Sequence, residues 1–188
     1  MNTTVSTLIA DAGLSTEEII RAARHLSVTR GYLFETVCGL TQAQWDFKPD
    51  DETWTIAENL EHLVLIERRV HDIIADMSNA PEATSSEGQS EMDNIIVNDV
   101  PRRSIKVKAP AAVCPSNRWG GVEALQLFLE NRDRTMQLLA APLLRGRVRP
   151  HPIFGAWDGY QWLLAVGSHT VRHTEQIREV KANPNFPC

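Results

Sequence analysis

Apolar side chains recur at three- and four-residue intervals over four long stretches of this chain, and no stretch alternates with a period of two. The pattern predicts four helices, over about 16–39, 55–77, 121–140 and 158–182. Three of the starts carry the residues of a reciprocal cap, in which each side chain satisfies the other residue's free backbone N–H. These pairs are Ser15 with Glu18, Thr55 with Glu58, and Asp158 with Gln161. Pro142 stops the third helix, and "NPNFPC" ends the fourth.

The connections are unequal. A polar stretch with two tryptophans, "LTQAQWDFKPDDETW", joins the first two helices. Between the second and third lies residues 78–119, long for a compact domain. Its Ser, Pro and charge content predicts a loop, since it holds too few apolar residues for a second core. The expected architecture is therefore all-α: one domain over residues 1–188, a four-helix bundle with one long crossover loop between helices two and three.

On a wheel of 100° per residue, Trp162, Ala165, Val166, His169, His173, Gln176, Ile177 and Val180 share one sector of the fourth helix. Two histidines thus stand in the stripe that should face the core. At a spacing of four their Cβ atoms lie about 5–6 Å apart, close enough for two ring nitrogens to reach one ion at about 2.0–2.1 Å each. In the second helix His62 falls on the side of Leu63, Ile66, Val70 and Ile73, while His71 points nearly opposite, toward water. If the two helices run antiparallel, His62, His169 and His173 meet at one level. Core histidines with satisfied hydrogen bonds are the plainer account of each alone, but three unpaired buried imidazoles would each pay for desolvation. His25 and His151 are read as surface or loop residues.

Composition narrows the partners. Of 188 residues, 43% are hydrophobic and 23% charged, the proportions of an ordinary soluble domain. A net charge of −5 argues against nucleic acid. The one basic cluster, Arg145, Arg147 and Arg149, is read as a solvated loop, with an anion-binding lip as the alternative. Cys38, Cys114 and Cys188 form no CxxC pair, which fits a reducing compartment. The amino terminus has neither a basic start nor a sustained apolar run, so no signal peptide or membrane span is expected and the cytoplasm is the expected location.

The segments "TWTIAENLEHLVLIE" and "HPIFGAWDGYQWLLAVGSHTVRHTEQIREV" together resemble the DinB/YfiT-like superfamily of metal-binding four-helix bundles, over about Arg24 to Ala182. The resemblance implies a divalent ion, nickel or zinc, held by His62, His169 and His173. It implies a small-molecule substrate, and an enzyme that transfers a low-molecular-weight bacterial thiol to an electrophile. Hydrolysis, a non-catalytic, metal-stabilised bundle and an interaction module, a homodimer joined through exposed faces such as that of Leu164, are the alternatives.

Around the ligands, Glu58 is either a base at the metal's open side or only the partner of its cap. Gln176 is either a hydrogen-bond partner that fixes a ligand's tautomer or a packing residue. Arg172 would meet an anionic substrate or pair with a carboxylate, and Trp54, Trp157 and Trp162 would line a pocket or fill core.

Overall fold

The computed structural model describes residues 13–102 and 108–188. The stretch through residue 12, where no signal peptide is expected, lies outside these residues, as do positions 103–107 of the long connection. Six helices and one hairpin make up the described fold: α1 (Thr16–Val37), α2 (Gln42–Trp45), α3 (Ile56–Ala75), α4 (Gln89–Asp99), α5 (Gly121–Gln137), β1 (Val148–His151), β2 (Gly155–Asp158) and α6 (Gly159–Lys181). The helices α1, α3, α5 and α6 form the bundle. All three expected capping boxes are made, and a fourth, Thr41 with Gln44, opens α2.

Contacts between elements give the directions of the helices. Asn59 and His62 of α3 meet His173 and His169 of α6, while Ile74 lies near Gly159, so α3 and α6 are antiparallel. Val64 and His71 of α3 meet Asn131 and Thr135 of α5 in ascending order, so those two run parallel. Two consecutive parallel helices need a connection that travels the length of the bundle, and that is why residues 76–120 are long.

Two expectations about the connections are corrected. The 78–119 segment is not all loop: α4 lies within it and packs on α6 through buried Ile96. Its signal is weak because it has only 11 residues and starts at Gly88, which supplies no side-chain cap. A two-stranded antiparallel sheet also forms, with Val148 opposite Asp158 and His151 opposite Gly155. Four-residue strands, one containing Pro150, are too short to display a period.

Buried apolar residues form two clusters. One, with Leu26, Ile74, Trp157 and Leu163, lies toward the start of α6; the other, with Leu33, Leu60, Phe128 and Ile177, lies toward its end. Between them Thr29, Glu67, Arg132 and Thr170 form a buried polar layer across all four bundle helices. The Arg132 guanidinium donates to Glu67 Oε1 at 2.6 Å, to the Leu26 carbonyl at 2.9 Å and to Thr170 Oγ1 at 2.8 Å.

This layer corrects the reading of His71. The ring is 2% exposed, and its Nε2 lies 2.8 Å from Thr135 Oγ1. The face of α3 that a wheel assigns to water is covered by α5, because α3 is packed between two helices. Leu164 is likewise fully buried, not an exposed docking residue. The basic loop is corrected as well: Arg145 binds Glu18 and Asp93 at 2.6 Å and Asp158 at 2.7 Å, tying α1, α4 and the cap of α6 together.

Candidate metal centre

His62, His169 and His173 come together, with one ring nitrogen from each lying within 4.8 Å of the others. His62 and His173 are 3% and 4% exposed, and His169 is half-buried. The capping box fixes where α3 begins, and His62 follows Thr55 by two turns. The stripe on α6 then sets the other two rings opposite it. The ring centroids are 4.5–5.2 Å apart.

The tautomers follow from the hydrogen bonds. His62 Nδ1 lies 2.7 Å from the Val113 carbonyl. A carbonyl only accepts, so Nδ1 carries the hydrogen and Nε2 is left with its lone pair. His173 Nδ1 lies 2.9 Å from Asn59 Oδ1, and Asn59 Nδ2 donates to the Thr55 carbonyl at 2.9 Å. The second bond orients the amide, so Oδ1 accepts and His173 Nε2 is also free to act as a ligand. His62 Nε2 and His169 Nε2 are 3.0 Å apart. Nitrogens sharing one ion at about 2.0–2.1 Å each sit roughly 3–3.5 Å from one another. Donor type therefore fits a divalent ion, as do the spacing of the His62–His169 pair and the free lone pairs of His62 and His173.

Charge favours the same state. Burial holds the His62 pKa below its usual value, against the opposing pull of the Val113 carbonyl. His169 is lowered well below the usual value, first by burial, then by the charges of His62, Arg172 and His151. Neutral rings are what a cation requires, since protonated imidazole offers no lone pair.

The other expected site residues lie around this centre. Glu58 accepts the Thr55 backbone N–H at 2.7 Å and pairs with Lys48 at 3.3 Å, so its carboxylate is engaged in the cap. Gln176 Oε1 is buried with no hydrogen-bond partner; the place it was expected to take beside a ligand is held by Asn59 at His173. Arg172 donates to the Arg102 carbonyl of the crossover. Trp54 packs on the site, 5.0 Å from His62 and stacked at 6.0 Å on His173. Trp157 and Trp162 lie at the other end of α6, around His151. Neither His25 nor His151 is a free surface group: His25 Nε2 lies 3.1 Å from Ser168 Oγ, and the His151 ring is stacked on Trp157.

Two contributions escape a reading by residue pattern alone. Asn59 stands three residues before His62 on an apolar face, a detectable signal, since buried amides need partners. The second is the crossover. Glu61, 1% exposed, accepts the backbone N–H groups of Ser116 and Arg118 at 2.9 and 3.1 Å and pairs with the Arg118 guanidinium. Adjacent residues of α3 thus grip one short loop, and that grip presents the Val113 carbonyl to His62. No periodicity in the loop announces this.

Comparison with known proteins agrees with the geometry. The model of the DinB superfamily matches residues 25–177. An uncharacterized protein, YuaE, of Bacillus subtilis (strain 168) is 28% identical over 147 residues, which cover 76% of this chain and 86% of that protein. Among the described residues, no helix is long and apolar enough to cross a membrane.

Proposed function

The chain belongs to the DinB superfamily, and from that premise we propose that it is a metal-dependent enzyme that transfers a low-molecular-weight thiol to an electrophilic small molecule. The observation that carries this reading is the convergence of three imidazoles, two of which have their Nε2 atoms freed by fixed partners at Nδ1. Bound there by His62, His169 and His173, a divalent ion such as nickel or zinc supplies a centre that lowers the pKa of a coordinated thiol or water. A site with three protein ligands leaves a position open for substrate, as catalytic sites do.

The chain's own residues supply the rest. Val113 and Asn59 hold two rings in the ligating tautomer, and Trp54 covers one flank of the triad. The three free cysteines fit a cytoplasmic setting. If the protein is a homodimer, exposed Ile20 and Val28 of α1 offer the apolar surface that buried Leu164 does not.

A second reading rests on a specific feature: the triad joins α3 to α6, so an ion would also tie the bundle together without catalysing anything. Metal content of tag-free protein, measured by mass spectrometry, tests the shared premise. Near one equivalent is expected, and His62→Ala should lose it; a full equivalent retained by that variant would remove the ligand set. Turnover of a bacterial thiol with a generic electrophile then separates enzyme from metal-stabilised bundle.

A further inference from the structure

The side of α1 turned away from the bundle is not a polar one. Of the seven large apolar side chains exposed among the described residues, three stand on this helix: Ile20, Val28 and Phe34, 57%, 64% and 44% exposed. The buried side of α1, with Ala22, Leu26, Leu33 and Val37, already serves the two core clusters. On the outer side Ile20, Arg24, Ser27, Gly31, Phe34 and Cys38 follow one another at spacings of four, three, four, three and four. That alternation is the heptad repeat of a coiled-coil seam. On a helical wheel the six fall within a sector of about 80°, and Val28 borders it. All but Gly31 are exposed, and a Cβ on Gly31 would meet nothing within 4 Å.

The order of side chains along the seam says what fits on it. Two copies packed antiparallel about a twofold axis bring the seam against its own reverse. Ile20 then faces the partner's Cys38, Arg24 faces the partner's Phe34, and Ser27 faces the partner's Gly31, each contact being made twice. The small pair lies at the centre, where two helix axes approach most closely. On either side of it a guanidinium meets an aromatic face, with the partner's Glu35 beside that ring as an opposite charge. Neither Arg24 nor Glu35 has an ion-pair partner among the described residues. A parallel pair would set the two Arg24 guanidinium groups against each other, which like charge disfavours.

We infer that this face of α1 is the surface by which two copies of the chain associate, antiparallel and in this register. The inference rests on the homodimer of the functional reading and not on its metal or its chemistry. It gives that homodimer a surface whose apolar, cationic and small positions are complementary to themselves.

Sedimentation of the full-length wild type over a range of concentrations should show a reversible monomer–dimer equilibrium. Gly31→Leu tests the surface without damaging the fold. The position has room for the side chain, and Leu favours helix over Gly. At dilutions where the wild type is monomeric, the urea midpoint of the variant should therefore not fall. Its two overpacked contacts with Ser27 should nonetheless weaken dimerisation at least ~10-fold. Cross-linking reads the register. With Cys114 and Cys188 replaced by Ser, Ile20→Cys should give a covalent dimer on treatment with diamide, and peptide mapping should place the bond between positions 20 and 38. A wild type that stays monomeric would overturn the homodimer itself. A dimer indifferent to Gly31→Leu would keep the homodimer and overturn this surface. A bond between Cys38 and the partner's Cys38, in place of the 20–38 bond, would make the pairing parallel and overturn the register.

Discussion

Asn59 makes two hydrogen bonds that depend on each other, one to the Thr55 carbonyl and one to His173 Nδ1. Replacing it with Leu keeps the volume but frees the ring to take the wrong tautomer. Partners of this kind are worth roughly 10- to 100-fold in metal affinity, so competition with a chromogenic chelator should show Asn59→Leu weakened by about that factor with its helicity unchanged. Gly167 is constrained by space. A Cβ there would come within 2.5 Å of the His25 ring, which lies between α1 and α6. Gly167→Ala should therefore cost about 1–3 kcal/mol in urea unfolding, as overpacking does. His25 itself predicts a pH dependence. Burial, helped by the charges of Arg132 and Arg21, lowers its pKa from 6.5 to about 4. The folded pKa lies below the unfolded one, so the contribution of the neutral ring is intact above pH 6.5 and is lost as pH falls toward 4. In chelator-treated protein the urea midpoint should drop between pH 7.5 and pH 5, and His25→Gln should lose less over that interval. Parallel profiles for the two proteins would remove the assignment. The triad was legible in sequence because spacing and apolar neighbours determine which way a helical side chain faces. Asn59 carried the same signal, but its partner on another helix did not show.

Caps and stripes also made the four long helices legible, since both are local properties of sequence. What stayed hidden at the scale of elements was anything fixed by a distant partner. Arg145 looks like a solvated loop residue next to Arg147 and Arg149, yet it neutralises carboxylates supplied by residues 18, 93 and 158. The helix α4 is invisible for a related reason: its burial comes from α6 and from the Asp93 contact, not from a strong stripe of its own. Removing the cation should expose this dependence. Arg145→Met leaves Asp93 and Asp158, 3% and 1% exposed in their side chains, without a counter-ion. Breaking a buried pair from one side costs on the order of 3–5 kcal/mol. Hydrogen exchange should show α4 released first, since Asp93 is its polar anchor. If α4 kept its protection while the rest of the fold weakened, Arg145 would not be what holds that helix down.

Across the whole molecule, the parallel run of α3 and α5 explains both the length of the crossover and its role. A connection forced to travel the length of the bundle passes over the α3–α6 seam, where Val113 and Arg102 meet His62 and Arg172. Sequence predicted one long connection; that it reaches the site is a consequence of helix order, which no local pattern encodes. The polar layer beneath has the same character. Arg132 binds groups from α1, α3 and α6 at once, and with Glu67 it forms an ion pair 0% and 1% exposed. Burial raises the Glu67 pKa, and the Arg132 charge opposes that rise, so the carboxylate depends on its partner to stay ionised. Arg132→Met should therefore destabilise the bundle by roughly 3–5 kcal/mol. Adding Glu67→Leu removes the stranded carboxyl, and replacing a buried pair by apolar groups of similar volume is often neutral or stabilising. Urea unfolding of the wild type, the single variant and the double variant decides the matter. Recovery of most of the lost stability in the double variant would mean that the pair sets which helices meet without stabilising the fold over an apolar core. A double variant as weak as the single one would mean that the bonds to the Leu26 carbonyl, Thr29 and Thr170, which join α5 to α1 and α6, carry the lost stability.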